Sequence, residues 1–242
     1  MKHRVKQILK RFDLDLVRAS SRQTIMDFLL DRNIELVLDV GANEGQFARS
    51  LRASRYQGWI RSFEPIAAVA QVLAANAATD PKWDVEAFAL GAAAERSTIN
   101  VSDMTVFSSM RDATDAAARF SAQAAVARTE DIEVRRLDDI LPDVPANTLL
   151  KIDTQGFEKE VLEGARKTLP ALKGVLMELP IIQLYQGNWT FHEAVEFMDL
   201  SGFVPAQIHP VNFHWRDKVS LVEVDCLFRP KDEAIDGSLR LH

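Results

Sequence analysis

The sequence predicts an α/β fold in which a parallel sheet carries helices on both faces. Three observations point there. Apolar strands alternate with helical patterns from Ile34 onward; the first strand runs into a glycine turn that opens a helix; and an acid closes the second strand about 20 residues beyond that turn.

The elements follow in order. Lys2, Arg4, Lys6, Lys10 and Arg11 surround Val5, Ile8, Leu9 and Phe12, a basic amphipathic pattern expected to be a lead-in helix packed on the domain; the alternative is a helix resting on an anionic membrane surface. Residues 1–33 are read as this helical lead-in. Alternation then predicts a strand at 34–40, a helix at 44–54, a strand at 59–63, a helix at 66–78 and a strand at 83–89. Ile66, Val69, Ala70 and Leu73 recur at i, i+3, i+4 and i+7, one buried stripe. The middle is less regular: a short strand at 97–101, a serine pair at Ser108 and Ser109, and an alanine-rich helix at 112–128 that reads as a surface helix or a lid. Ile132 to Val134 and Leu137 to Leu141 lead to a buried strand, Thr148 to Ile152. A further strand at Gly174 to Leu179, a helix with Phe191, Ala194, Val195 and Met198 on one stripe, and a hairpin of 203–208 with 219–228 complete a domain over 34–229. Residues 230–242 are a tail.

Composition narrows the classes. The 242 residues are 47% hydrophobic, enough for one full core. A net charge of −6 argues against a nucleic-acid partner, which wants a basic face. Cys226 is the only cysteine, so neither an intramolecular disulfide nor a thiolate metal cluster forms, in keeping with a reducing compartment. No apolar run reaches the length of a transmembrane segment, and the expected location is cytoplasmic. Oligomeric state, a homo-oligomer included, stays open.

The glycine turn carries the chemistry. Val37, Leu38 and Val40 supply a buried strand, and Gly41 and Gly45 let the backbone turn and approach a ligand. The spacing is Gly-x-x-x-Gly, without the glycines that admit a pyrophosphate to a helix N-terminus, and Asp39 and Glu44 repel a diphosphate. NAD and FAD are therefore disfavoured and a cationic sulfonium is favoured, which points to S-adenosylmethionine. Glu64, with Pro65 after it, stands where nucleoside-binding α/β folds place an acid for the ribose hydroxyls. Asp153, at the carboxyl end of the 148–152 strand, is aimed at the same crevice.

In order, Leu38-Asp39-Val40-Gly41-Ala42-Asn43-Glu44-Gly45, Phe63-Glu64-Pro65, Ala89-Leu90-Gly91, Ser108-Ser109, Leu137-Asp138, Lys151-Ile152-Asp153-Thr154-Gln155-Gly156-Phe157-Glu158 and Val161-Leu162-Glu163-Gly164-Ala165 resemble the FkbM family of S-adenosylmethionine-dependent methyltransferases over about residues 35–229. The resemblance implies a Rossmann-like class I methyltransferase fold, seven strands with the last antiparallel, and O-methylation of a sugar, polyketide or other small-molecule hydroxyl. It implies that Asp39, Gly41, Asn43 and Gly45, with Ala42, hold the methionine end, and Glu64 with Pro65 the ribose. Where many relatives carry a polar residue before Ala-Leu-Gly, this chain has Ala87-Phe88, so adenine is expected to meet apolar packing and backbone groups at Phe88 and Ala89.

Methyl transfer to an alcohol needs the acceptor oxygen held about 3–3.5 Å from the methyl carbon and its proton removed. Asp153 is the first candidate, as general base or as ligand of a Mg²⁺ that would lower the hydroxyl's pKa; Glu178 is the second in both roles. His209 and His214, expected in the loop between the last two strands beside Asn212 and Trp215, are the reserve bases. Asp153 also reads as a cap on the next helix, and Glu158 and Glu163 read as a solvated helix face. The alternatives are an N-methyltransferase, which needs no base for a neutral amine, a noncatalytic nucleoside-binding module acting through a protein partner, and a nicotinamide-dependent dehydrogenase.

Overall fold

A computed structural model describes residues 24–114, 116, 126–145, 147–214 and 216–231. The chain divides into two compact units, Met1–Asn33 and Ile34–His242. Of the first, one helix is described, α1 (Ile25–Asp31). Its N-terminus is closed by a capping box in which the Thr24 hydroxyl accepts from the Asp27 amide and the Asp27 carboxylate accepts from the Thr24 amide. The basic segment at 2–12 lies outside the described residues, as do 117–125 and Trp215.

Among the described residues the second unit has ten strands: β1 (Leu36–Val40), β2 (Trp59–Phe63), β3 (Trp83–Glu86), β4 (Ala89–Leu90), β5 (Glu95–Ser102), β6 (Val126–Arg135), β7 (Thr148–Ile152), β8 (Gly174–Pro180), β9 (Phe203–Phe213) and β10 (Leu221–Pro230). Seven form one sheet in the order β3-β2-β1-β7-β8-β10-β9. The strands from β3 to β8 pair in parallel, and β10 runs antiparallel to both neighbours. The chain lays β2 and β3 on one side of β1 and returns with β7 on the other, so the topological switch lies between β1 and β7. That is where an open α/β sheet binds its ligand.

The central strands are apolar because both of their faces are covered: Val37, Leu38, Val40, Leu149, Leu150 and Ile152 are all buried. The covering helices are α2 (Gln46–Ala53), α3 (Ala67–Ala77), α4 (Leu137–Ile140), α5 (Glu158–Glu163) and α6 (Phe191–Leu200). The predicted stripe on α3 is buried at Ile66, Val69, Ala70 and Leu73, and α6 buries Ala194 and Met198.

Three predicted elements differ. The strand expected at 83–89 is broken, because Ala89–Leu90 leaves the main sheet and pairs with Val134–Arg135 in a separate three-stranded sheet, β4-β6-β5. Of the helix expected at 112–128, 117–125 lie outside the described residues, and Val126 to Arg128 instead open β6, where they pair with Val101 and Ser102. The final hairpin is longer than expected. His209 is not in a loop but within β9, opposite Asp225, because the pairing continues to Phe213 through register shifts.

Candidate active site

A cavity of about 360 Å³ opens over the carboxyl ends of β1, β2, β7 and β8, within the range of small-molecule sites. The glycine turn forms one wall. Gly41 (φ +72°) and Gly45 (φ +83°) hold left-handed backbone, and a Cβ on Gly41 would lie 1.9 Å from the Asp153 carbonyl oxygen. Glycine is therefore required at position 41 for the approach of the β7 backbone, before any ligand arrives. A Cβ on Gly45 would meet Trp83 and Leu73 at 2.7 and 2.8 Å, and Gly45 does not line the cavity.

Each amide of the turn is already engaged. Gly41 and Ala42 donate to the Phe63 carbonyl, Asn43 to Glu64 Oε2 at 3.0 Å, Glu44 to Asn43 Oδ1, and Gly45 to the Ala42 carbonyl. Glu64 also accepts the Ile66 amide at 3.0 Å through Oε1. It is buried at the end of β2 and lines the cavity beside Pro65; burial pushes its carboxyl up to about 7, against the pull of the two amides and Lys151.

Below the turn, Asp39 is fully buried. Its Oδ1 lies 3.0 Å from Lys151 Nζ, and its Oδ2 accepts from the Ser62 hydroxyl, which in turn accepts Trp83 Nε1. Lys151 Nζ is also 3.3 Å from the Gly41 carbonyl oxygen and 3.5 Å from Asp153 Oδ2. Asp39 thus reaches the cavity only through Lys151. Burial opposes the ammonium charge, but Asp39 and Asp153 outweigh it and raise the Lys151 pKa.

The opposite wall is acidic. Asp153, Glu178 and Asp225 all line the cavity, Glu178 and Asp225 as directly paired residues of β8 and β10. Gln155 joins two of them: its Nε2 donates to Asp153 Oδ1 at 2.8 Å and lies 3.5 Å from Glu178 Oε1. The orientation of that amide is fixed by Tyr185, whose hydroxyl donates to Gln155 Oε1 at 2.8 Å, and its backbone is held by Ser109 Oγ on the Gln155 carbonyl at 2.6 Å. Burial, then the charges of Asp153, Glu223 and Asp225, push the Glu178 carboxyl far above the usual range, and burial brings Asp225 to about 6.

Ala42, Asn43 and Ala89 line the same cavity as these groups. Phe88 does not. Its ring packs in the core against Phe63 at a centroid distance of 5.7 Å, with the Arg135 guanidinium 4.2 Å from the ring centroid; alternation along the chain puts Ala89 rather than Phe88 on the wall. His209 and His214 are also outside the lining. His209 is exposed on β9 with Gln207 as hydrogen-bond partner, and His214 sits at the turn of the hairpin, 3.9 Å from Asp217. Glu158 is not on a solvated face: it is 2% exposed, and its Oε1 accepts from the Thr154 amide, the Thr154 hydroxyl and the Gly156 amide. Among the described residues no side chain caps α5, and it is the Glu158 carboxylate, not Asp153, that ties down the loop entering it.

Among the described residues no group of three or more His, Cys, Asp or Glu side chains is arranged to hold a metal ion. Asp153 and Glu178 instead share the Gln155 amide, and Asp153 faces Lys151. This donor set does not suit Mg²⁺. The sequence reading missed Lys151, Gln155, Tyr185 and Asp225 as site residues. Lys151 had a signal: two positions before Asp153 on one strand, it shares that residue's face. Asp225 had none, since its place depends on β10 inserting between β8 and β9.

Sheet order, glycine turn and acid at the end of β2 together define a class I S-adenosylmethionine-dependent methyltransferase. The family model of the methyltransferase FkbM domain matches residues 39–205, and the chain belongs to that family. No curated protein matches it. Among solved structures it is similar to a putative RNA methyltransferase from Pyrococcus horikoshii (13% identity, TM-score 0.42, covering 85% of this chain and 80% of that one). It is also similar to an rRNA methylase from Streptococcus thermophilus (10%, 0.47, 86% and 97%). A third is an O-methyltransferase from neocarzinostatin biosynthesis in complex with S-adenosyl-L-homocysteine and 1,4-dihydroxy-2-naphthoic acid (12%, 0.42, 82% and 50%). Among the described residues no helix is long and apolar enough to cross a membrane.

Proposed function

We propose that this methyltransferase acts on a hydroxyl of a small molecule or glycan, with Asp153 as the general base. The observation that carries this reading is the Asp153 carboxylate itself. It lines the same cavity as the glycine turn and Glu64, keeps a side chain 37% exposed, and is held at Oδ1 by Gln155 and near Oδ2 by Lys151. A tethered carboxylate with free lone pairs is what an alcohol acceptor needs.

S-adenosylmethionine would supply the methyl group, its sulfur keeping the electrons of the broken C–S bond. Glu64 would accept from the ribose hydroxyls, and Asp153 would take the proton of the acceptor hydroxyl whose oxygen receives the methyl. Glu178, whose carboxyl is raised far above the usual range by burial and the neighbouring carboxylates, is not proposed as a second base. No step is assigned to Mg²⁺. The carboxylates of this wall, with the net charge of −6, oppose a phosphate backbone, so nucleic acid is not the proposed acceptor.

The test measures S-adenosylhomocysteine release over a panel of sugar, phenol and polyketide hydroxyls, their amine counterparts and an RNA oligonucleotide. Release is expected with hydroxyl compounds and unchanged by a chelator. Asp153→Asn should lower it by about 10²–10⁴ with little change in S-adenosylhomocysteine affinity. Full activity in Asp153→Asn, or transfer confined to amines or RNA, overturns the reading; loss under chelation with recovery in Mg²⁺ returns the metal.

A further inference from the structure

The methionine end of S-adenosylmethionine carries two cationic groups, the sulfonium and the ammonium, and one carboxylate. The cations have partners among the carboxyl groups that line the cavity, Glu64 on one side and Asp153 and Asp225 on the other; the carboxylate needs a donor, best a cationic one. In dinucleotide folds a ligand's negative group is met by free amides of the glycine turn. Here the five amides from Gly41 to Gly45 are all spent on Phe63, Glu64, Asn43 and Ala42. Among the described residues that line the cavity, Lys151 is the only cation.

We propose that Lys151 binds the carboxylate of the cofactor's methionine moiety, so that one ammonium buried between Asp39 and Asp153 sets selectivity for the complete amino-acid end. The inference rests on reading this cavity as the cofactor site. Lys151 Nζ stands at the foot of the turn, close to Asp39 at 3.0 Å but loosely spaced from the Gly41 carbonyl at 3.3 Å and from Asp153 at 3.5 Å. Two of its three N–H groups therefore make only long contacts, and one can turn to a ligand oxygen at small cost. Asp39 anchors the ammonium from beneath, which explains a fully buried carboxylate that never reaches the cavity itself.

The experiment is calorimetry with two probes that differ only in the carboxylate, S-adenosylmethionine and its decarboxylated form, which keeps the sulfonium and the ammonium. The wild-type protein should prefer the complete cofactor by roughly 10- to 100-fold, the scale of a hydrogen bond between charged groups. In Lys151→Met that preference should vanish, with the decarboxylated form bound as well as before or better. Should Lys151→Met not fold, because Asp39 is left buried without a partner, the double variant Asp39→Asn/Lys151→Met removes both charges, and the same loss of preference is expected. A wild-type preference ratio retained in either variant overturns the proposal while leaving the cavity as the cofactor site. Failure of the wild-type protein to bind either probe overturns the cavity assignment as well.

Discussion

Glu64 spends two carboxylate oxygens on backbone amides, and burial still pushes its carboxyl up to about 7. A ribose hydroxyl donates well only to the ionised form, so cofactor binding is linked to loss of this proton. Affinity for S-adenosylhomocysteine is therefore expected to be highest above pH 7 and to fall as pH drops through about 7, by at most about tenfold per unit. Titration calorimetry at several pH values checks it, and in Glu64→Gln the dependence should flatten while affinity above pH 7 drops. A pH dependence that survives Glu64→Gln would assign the proton elsewhere. Glu64, Gly41 and Asp153 were legible in the sequence because each follows a buried parallel strand, and such strands end at a common crevice. Phe88, His209 and Glu158 were misplaced for one shared reason. Which face a residue takes depends on where a strand breaks, shifts register or gives way to a loop, and a one-residue change reverses the side.

At the scale of elements, two motifs that resemble family signatures prove to be packing. Gly91 ends β4 and Gly164 ends α5, and a Cβ on Gly164 would stand 1.9 Å from the Gly91 carbonyl oxygen. Asp138 of α4 reinforces the junction by accepting the Lys167 and Thr168 amides and the Thr168 hydroxyl. Gly164→Ala is expected to cost about 1–3 kcal/mol, the usual range for overpacking, in a denaturant melt with unchanged slope. Wild-type stability in this variant would show that the two loops part easily. The stripes of α3 and α6 and the apolar strands were readable from periodicity alone. The three-stranded sheet was not, because β6 opens with four exposed residues at 126–129 and only Ile132 and Val134 of its later part are buried. Its existence depends on a partner far along the chain, which no local pattern encodes.

For the molecule as a whole, the segment between β5 and β6 matters most. Thr105, Val106, Ser108 and Met110 form part of the cavity wall, and two of the hydrogen bonds that hold the segment lie at the cavity. The Asn43 side-chain amide donates to Thr105 Oγ1 at 3.0 Å, and the Ser109 hydroxyl donates to the Gln155 carbonyl oxygen. One pin therefore lies on the half of the cavity that holds Glu64, the other on the half that holds Asp153. Such a latch sets a residence time. If demethylated cofactor leaves past it, turnover cannot exceed that departure however fast the chemistry is. Thr105→Val keeps the shape and removes one hydrogen bond, so stopped-flow displacement should show S-adenosylhomocysteine leaving about 2- to 10-fold faster, as loss of a single neutral hydrogen bond allows. An unchanged departure rate would mean that this strap is wall and not gate; a faster one would make the Asn43 and Thr105 pair the clock of the catalytic cycle.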